Sequence, residues 1–251
     1  MNYKDKTVVI TGGAKGIGAA TAKIFFDAGA NVVVLDIAAD TSNIQNENWL
    51  FLQCDVSDGT QVGAAFEHIG NQFKTINFLV NNAGIQRYGT VTETSTDEWD
   101  LVMNINLKSF FLCAKYALPL MRKNEKGAII NVASVQAFLS QQNVAAYTTA
   151  KSAILGLTRS IAVDYAPNIR CVAVCPGTID TPMLRDAIAL SPDPAEVMQE
   201  CIDMHLTKRI GTAEEVAELI LYLCDDKASF ITGQAIRIDG GLGITIQGSK
   251  R

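Results

Sequence analysis

One tyrosine and one lysine, Tyr147 and Lys151, have the residue types and the spacing that acid–base chemistry requires. They are four positions apart within a predicted helix, so their side chains lie on one helix face. A phenol with an ordinary pKa of about 10 is a weak base at neutral pH, and a nearby ammonium stabilises its phenolate. We therefore predict that Tyr147 donates and accepts a proton and that Lys151 lowers the tyrosine pKa.

Two polar side chains upstream in the sequence are candidates for the same site as this pair. Ser134 comes directly after a predicted strand, which places its hydroxyl at the carboxyl edge of a sheet. Asn106 lies in a predicted long helix, where its amide could hold a water or a backbone group that links Lys151 to solvent. The alternative for Asn106 is a polar residue that caps or kinks that helix. A single Tyr-x-x-x-Lys pair also arises by chance, so the prediction depends on these neighbours.

The first predicted strand runs directly into a glycine-rich turn, TGGAKGIG at 11–18, and a helix follows. Glycines let the backbone turn sharply and approach a pyrophosphate, which then lies on the free N–H groups and positive dipole end of the helix. An ordinary turn between a strand and a helix is the alternative. The order of strand, turn and helix favours a dinucleotide site that includes Gly12, Lys15, Gly16, Ile17 and Gly18.

A carboxylate, Asp36, ends the second predicted strand. In that place it can accept hydrogen bonds from an adenosine ribose and repel a 2′-phosphate. Lys15 opposes this preference, because a basic side chain in the turn attracts the same phosphate. The unfavourable free energy of a desolvated contact between Asp36 and a 2′-phosphate exceeds the favourable free energy from an exposed lysine. We therefore predict NAD rather than NADP as the cofactor.

Two further segments lie at the carboxyl ends of the third and fourth predicted strands, Asp55-Val56 and NNAG at 81–84. Ligands of open α/β sheets bind at the carboxyl edge of the strands, so both segments are predicted to approach the cofactor. Turn formation by side-chain hydrogen bonds is the alternative for the asparagine pair.

Short apolar runs rich in β-branched residues alternate with longer segments of helical period, as βαβ units do in a parallel sheet. Most runs are apolar throughout, which is typical of strands covered on both faces. The sequence predicts an α/β fold: a doubly wound, seven-stranded parallel sheet with helices on both faces, in a single domain over 1–251. The predicted strands are 7–10, 31–35, 50–53, 78–81, 128–132, 170–174 and 235–238, and the predicted helices are 17–28, 61–73, 97–123, 145–166 and 213–224.

One long segment, 178–211, shows neither the apolar runs of strands nor the period of a helix, and it contains Pro182, Pro192 and Pro194. A loop of this length in a compact domain is usually a lid or a binding loop, which is our prediction for it. An ordinary pair of surface helices is the alternative.

Composition narrows the partners and the compartment. A net charge of −5 gives no excess of basic residues for a nucleic-acid backbone, so we expect a small-molecule partner and no nucleic acid. The first apolar run is too short for a signal peptide, and the uncharged stretch 128–150 is too rich in amides and hydroxyls to span a membrane.

Six scattered cysteines fit reduced thiols in a cytoplasm. Neither the cysteines nor His68 and His205 have the spacing of metal ligands, so we predict no metal site.

Taken in order, these motifs resemble the compact, single-domain short-chain dehydrogenases/reductases, and the similarity covers nearly the whole chain. The features that carry it are TGGAKGIG, Asp36, Asp55-Val56, NNAG, Asn106, Ser134, Tyr147 with Lys151, and PGTIDT at 176–181. The resemblance implies a Rossmann-type fold and an NAD(P)-dependent oxidoreductase that moves a hydride between a nicotinamide and an alcohol or carbonyl carbon. It also implies a homotetramer.

The resemblance assigns a role to each matching residue. It implies a catalytic tetrad in which Tyr147 transfers the proton, Ser134 holds the substrate oxygen, Lys151 binds the nicotinamide ribose and Asn106 sustains a proton relay. It places Asp36 on the adenosine ribose, with Asp55 and Val56 at the adenine. The other implied cofactor-binding residues are Asn82, Ala83, Gly84, Pro176, Gly177, Ile179 and Thr181, with the last two at the carboxamide.

The segment between Ser134 and Tyr147 is rich in amides, which donate and accept hydrogen bonds and so suit a polyhydroxylated substrate. The runs SVQAF to YTTAK and SIAVDYAPNIRCVAVCPGTIDTP also resemble the sugar-oxidising branch of the family, which includes aldose 1-dehydrogenases. We therefore predict an aldose or polyol substrate that Gln136, Gln141 and Asn143 help to bind, beside Ser134 and Tyr147. Amides that are simply solvated in a loop are the alternative.

Two other functions compete with this prediction. A 3-oxoacyl-acyl-carrier-protein reductase would use the same tetrad and the same cofactor turn on a different substrate. A non-catalytic NAD-sensing protein would keep the glycine-rich turn, but it has no reason to carry Tyr147, Lys151 and Ser134 together.

Overall fold

A parallel sheet forms the centre of the molecule. The computed structural model describes residues 3–40, 42, 44–124 and 126–244. Its strands are β1 Thr7–Thr11, β2 Asn31–Asp36, β3 Trp49–Gln53, β4 Phe78–Asn81, β5 Gly127–Val132, β6 Ile169–Pro176, β7 Ile179–Asp180, β8 Gly211–Thr212 and β9 Ala235–Ile238. Seven of them form one sheet in the order β3-β2-β1-β4-β5-β6-β9, and each neighbouring pair is parallel. The predicted Rossmann-type sheet is confirmed, and each predicted strand overlaps an observed one.

Helices cover both faces of this sheet, as predicted. They are α1 Gly16–Asp27, α2 Gly59–Phe73, α3 Thr96–Met103, α4 Ser109–Met121, α5 Ala145–Tyr165, α6 Pro182–Ile188, α7 Pro194–Met204 and α8 Ala213–Cys224. Helices α1 and α8 pack on one face, and α2, α4 and α5 pack on the other. Successive residues of β1 alternate between the two cores: Val8 and Ile10 belong to the first and Val9 to the second. Across the described residues, no helix has both the length and the apolar character to cross a membrane.

The strand order creates a crevice beside β1. The chain moves outward from β1 to β2 and β3, and then returns to β4 on the other side of β1. The connections after β1 and β4 therefore diverge to opposite sides of the sheet, and ligands of such sheets bind in the gap between them. This topology brings the glycine-rich turn and the NNAG segment to the same edge.

The predicted helix over 97–123 is interrupted in the structure. It consists of α3, a π-helical turn at Asn104–Lys108, and α4, which ends at Met121. A π turn is uncommon and is frequently found at functional sites. This one contains Asn106, whose side-chain amide hydrogen-bonds to backbone groups outside the helix.

The prediction of an irregular loop over 178–211 is wrong. The segment contains α6 and α7, and its ends pair as the short strands β7 and β8. Pro182 and Pro194 stand in the first turns of the two helices, where a missing backbone N–H costs nothing. The side chains of Thr181 and Asp193 cap the same helix ends. Two of the three prolines therefore begin helices instead of breaking them, and the alternative of a surface helix pair describes the segment.

Candidate active site

The turn between β1 and α1 depends on its glycines. Gly12 and Gly16 have positive φ angles of 64° and 58°, a conformation that glycine adopts readily. A Cβ on Gly18 would lie 2.6 Å from the side-chain nitrogen of Asn82 and would overlap the carbonyl oxygen of Gly12. Glycine at these positions lets the chain turn closely at the N-terminus of α1, where backbone N–H groups can bind an anion such as a pyrophosphate.

A methyl group at position 18 is expected to disrupt this turn. We expect Gly18→Ala to weaken NADH binding by about tenfold or more and to lower Tm, because the new Cβ collides with the Gly12 carbonyl. Gly156→Ala is the matched control, since nothing lies within 4 Å of a Cβ built there. In the interior of α5, alanine is favoured over glycine by about 0.5–1 kcal/mol. Fluorescence titration and thermal unfolding measure both effects, and equal NADH affinity in the two variants would contradict this account.

The second residue of the asparagine pair, Asn82, directly follows β4 and ties the sheet edge to the turn. The Asn82 amide donates to the carbonyl oxygens of Thr11 and Gly12 at 3.0 and 2.9 Å. The Thr11 hydroxyl accepts from the backbone N–H groups of Asn82 and Ala83 at 2.9 and 3.1 Å. Asn82 therefore stabilises the shape of the glycine-rich turn from a distant part of the chain, whereas the alternative for the pair was a local turn formed by its own side chains. Its contact with the cofactor stays a prediction. The sequence analysis missed Thr11 as a site residue, although a polar residue at the end of an apolar strand was a usable signal.

Asp36 lies at the end of β2, beside the turn. Its two carboxylate oxygens accept hydrogen bonds from the backbone N–H groups of Ala14 and Ala38, each at 2.9 Å. Lys15 is the N-cap residue of α1, and its exposed side chain makes no capping hydrogen bond. Two hydrogen bonds therefore fix the Asp36 carboxylate next to the glycine-rich turn, whereas the Lys15 side chain makes no hydrogen bond with the helix end.

The segment after β3 lies next to Asp36. The backbone N–H of Cys54 donates to the carbonyl oxygen of Asp36 at 2.8 Å. The Asp55 carboxylate accepts from the backbone N–H and the hydroxyl of Ser57 at 2.9 and 2.7 Å, and Val56 is buried. The structure thus brings Asp55 and Val56 to the same edge as Asp36.

The segment after β6 reaches back to the glycine-rich turn. The Thr181 side chain lies 3.3 Å from the position of a Cβ on Gly16. Pro176 ends β6, and the backbone N–H of Gly177 donates to the last carbonyl of β9 at 3.0 Å. Ile179 is buried. All four of the residues predicted in this segment therefore lie at the carboxyl edge of the sheet.

Tyr147 and Lys151 lie one turn apart on the buried face of α5, with 9% and 3% of their surfaces exposed. The Lys151 ammonium is 5.6 Å from the centre of the Tyr147 ring. It donates to the carbonyl oxygen of Val132, the last residue of β5, at 2.9 Å. It also lies 5.5 Å from the centre of the Phe110 ring of α4, another site neighbour that the sequence analysis missed. Strand β5 and helix α4 thus hold the lysine beside the tyrosine.

Ser134 follows β5 and faces the same tyrosine. Its hydroxyl accepts from the backbone N–H of Gln136 at 3.1 Å. Burial raises the pKa of Tyr147 to about 12, and hydrogen bonding with the Ser134 side chain lowers that pKa in part. Burial also lowers the pKa of Lys151 to about 8. Desolvation therefore outweighs the polar neighbours in the protein alone, and the lowering of the tyrosine pKa by Lys151 stays a prediction for the site with a cationic nicotinamide bound beside it.

Asn106 connects this cluster to the loop after β4. Its side-chain oxygen accepts from the backbone N–H of Ile85, and its side-chain nitrogen donates to the Ile85 carbonyl, both at 2.8 Å. A Cβ on Gly84 would lie 2.9 Å from the Asn106 oxygen and 3.6 Å from the Lys151 nitrogen. Asn106 thus holds the backbone of Ile85, which is one of the two roles that the sequence suggested. Gly84 lies between the side chains of Asn106 and Lys151.

The amides predicted to bind substrate follow Ser134 in the chain, and Gln141 and Asn143 are exposed. The Gln136 side chain donates to the side-chain oxygen of Gln141 at 3.3 Å and accepts from the Thr148 hydroxyl at 3.4 Å. Asn143 has a positive φ of 59°, and its carbonyl oxygen accepts from the backbone N–H of Gly89 at 2.7 Å. Gln136 and Gln141 therefore form a pair near the serine, while the backbone of Asn143 shapes the turn before α5.

Comparison with known proteins identifies the family to which this chain belongs. A family model described as Enoyl-(Acyl carrier protein) reductase matches residues 12–243. Dehydrogenase/reductase SDR family member 6 of Rattus norvegicus is 37% identical over 239 residues, which cover 94% of this chain and 96% of that protein. The chain belongs to the short-chain dehydrogenase/reductase family. As a member of that family it is an NAD(P)-dependent oxidoreductase.

Two solved structures resemble this chain over nearly its whole length. Ligand-free aldohexose dehydrogenase of Thermoplasma acidophilum shares 40% sequence identity and superimposes with a TM-score of 0.94, over 99% of this chain and 98% of that one. Levodione reductase shares 32% identity with a TM-score of 0.91, over 98% and 100% of the two chains. These similarities support redox chemistry between alcohols and carbonyls for this short-chain dehydrogenase/reductase.

Proposed function

We propose that this enzyme oxidises an aldose or a related polyol with NAD, and that 1–251 form a single NAD-binding catalytic domain. One observation carries the proposal: Tyr147, Lys151 and Ser134 meet at the sheet edge that also carries the glycine-rich turn. A phenol, an ammonium and a hydroxyl in this arrangement can bind an alcohol and remove its proton beside a bound dinucleotide.

Each member of the tetrad has a task in this oxidation. Ser134 hydrogen-bonds to the substrate oxygen, and Tyr147 accepts the hydroxyl proton. The bound cofactor supplies a nicotinamide ring that accepts the hydride. Lys151 binds the nicotinamide ribose and, as an ammonium next to a buried phenol, favours the phenolate form of Tyr147. Asn106 holds the Ile85 backbone near Lys151 and so sustains a proton path to solvent.

We propose NAD as the preferred cofactor. The fixed carboxylate of Asp36 suits the two free hydroxyls of an adenosine ribose and would repel a phosphate in place of one of them. The pyrophosphate would bind the N–H groups at the start of α1, and the carboxamide would bind the segment after β6. The assigned cofactor-binding residues are Gly12, Lys15, Gly16, Ile17, Gly18, Asp36, Asp55, Val56, Asn82, Ala83, Gly84, Tyr147, Lys151, Pro176, Gly177, Ile179 and Thr181.

Support for a sugar substrate comes from the amides near Ser134 and from the aldohexose dehydrogenase similarity. An amide can donate to one sugar hydroxyl and accept from the next, so a polyhydroxylated ring can satisfy several amides at once. We assign Gln136, Gln141 and Asn143 to this role, beside Ser134 and Tyr147.

A substrate panel tests the proposal. We expect NADH formation with NAD and at least one aldose, and slower or no reaction with NADP. Gln136→Leu is expected to raise KM for the sugar by about tenfold and to leave KM for NAD unchanged, because it removes one hydrogen-bonding partner of the sugar. Gln142→Leu is the matched control, since Gln142 is an exposed amide in the same loop.

A 3-oxoacyl-acyl-carrier-protein reductase is the second candidate, and the description of the matching family model shares with it the acyl-carrier-protein substrate, although it names an enoyl reductase. No NADH formation with any aldose, together with rapid reduction of a β-ketoacyl thioester, would decide for it. An NAD-sensing protein would bind NADH and turn over neither class of substrate.

We also propose a homotetramer in a reducing, cytoplasmic compartment. The exposed apolar side chains of Phe111 on α4 and Val163 on α5 suit burial against another copy of the chain. All six cysteines are free thiols, as a reducing compartment would keep them. Sedimentation equilibrium tests the assembly, and a monomer at micromolar concentration would contradict it.

A further inference from the structure

One buried imidazole has no part in the chemistry proposed above. His205 follows α7 and is 2% exposed. Its Nδ1 lies 2.7 Å from the carbonyl oxygen of Cys201, and its Nε2 lies 3.2 Å from the backbone nitrogen of Thr178. Each ring nitrogen therefore has a backbone partner, and the two partners belong to different segments of the chain.

These partners fix the tautomer of the ring. A carbonyl oxygen can only accept a hydrogen bond, so Nδ1 carries the proton and donates to Cys201. A backbone N–H can only donate, so Nε2 is unprotonated and accepts from Thr178. The neutral ring thus joins the end of α7 to the loop that follows β6.

The His205 ring also lies beside two glycines, at positions where a Cβ would approach it closely. A Cβ on Gly177, directly after β6, would lie 2.9 Å from Nε2. A Cβ on Gly240, which follows β9, would lie 3.2 Å from Cδ2 of the ring. The ring thus occupies the space that a side chain at either glycine would need, and its hydrogen bond with Thr178 links it to the loop after β6.

We infer that His205 is a positioning residue that holds the loop after β6 in the shape that receives the nicotinamide end of the cofactor. The inference rests on the proposed function, in which Ile179 and Thr181 contact the carboxamide. Thr178 directly precedes Ile179, so the hydrogen bond to His205 fixes the backbone next to that contact. Without it, the Thr178 N–H loses its acceptor and the loop is free to move.

Three variants separate this role from a general effect on folding. His205→Leu removes both ring nitrogens, and His205→Gln keeps a side-chain acceptor. His68→Leu is the matched control, because His68 is an exposed histidine on α2. Binding of NADH and of ADP-ribose, which lacks the nicotinamide, is measured by calorimetry. Hydrogen exchange at the Thr178 amide is measured without cofactor.

We expect His205→Leu to weaken NADH binding by about tenfold, to leave ADP-ribose binding within about twofold, and to speed exchange at Thr178. His205→Gln and His68→Leu should stay within about threefold of the parent protein for NADH. An equal loss for both ligands, or unchanged exchange at Thr178, would overturn the inference. A parent protein that bound neither ligand would overturn the proposed function instead, and exchange at Thr178 would still decide whether His205 holds the loop.

Discussion

Tyr147→Phe is expected to lower kcat by about a hundredfold to ten-thousandfold, while NADH binds within about twofold of the parent affinity. The substitution deletes the hydroxyl that transfers the proton, but it keeps the ring that packs beside Lys151 and leaves every other assigned cofactor-binding residue in place. The Ser134 hydroxyl keeps its bond to the Gln136 backbone, so the surroundings of the site should change little. Steady-state turnover and calorimetric NADH titration measure the two quantities separately.

Tyr165→Phe is the matched control for this variant. Tyr165 ends the same helix, α5, so the control deletes the same hydroxyl far along the helix from the site. Its turnover should equal that of the parent protein. Turnover of Tyr147→Phe within about threefold of this control would rule out the tyrosine as the acid–base group, because such groups contribute far more.

Asp36→Asn should shift the cofactor preference toward NADP by about a hundredfold or more in the ratio of kcat/KM values. Two effects of about tenfold each combine: loss of a charge-assisted hydrogen bond to the ribose, and loss of repulsion toward a 2′-phosphate. Asparagine keeps a side-chain oxygen that can accept from the Ala14 N–H, so the glycine-rich turn should keep its shape. Kinetics with both cofactors at one fixed substrate concentration measure the ratio.

Asp40→Asn removes the same charge from an exposed aspartate shortly after β2, and it is the control for long-range electrostatics. Its cofactor ratio should not change by more than about twofold. If the two variants shifted the ratio equally, the preference would come from the general charge of this edge. A direct contact between Asp36 and the ribose would then be excluded.

The sheet could be predicted from the sequence because its strands are buried on both faces. Val8, Val9 and Ile10 are all fully buried, although they point alternately into two different cores. A run without polar interruption is the signature that such burial leaves in a sequence. The strand ends were equally informative, because polar residues such as Asp36 and Asn82 follow apolar runs where the chain reaches the sheet edge.

The segment 178–211 was harder because its helices bury little. Helix α6 has only seven residues and α7 has no buried residue, and the prolines that begin both helices look in the sequence like the breaks of a loop. His205 has partners in a loop 27 residues away and at a carbonyl four residues back, and both are backbone groups that no side-chain pattern reveals. The raised pKa of Tyr147 depends on burial, which spacing alone does not define.

The π-helical turn at Asn104–Lys108 has a consequence for chain length. Each residue of a regular helix advances the chain by about 100° around the axis. A π turn closes with i→i+5 hydrogen bonds, so it takes up about one residue more than an α-helical turn without changing the phase of the helices on either side. Deleting one residue here would restore regular winding and leave Phe110 and Cys113 of α4 in the cores they now fill. It would remove the widened turn that carries Asn106, so the extra residue serves the site and not the packing.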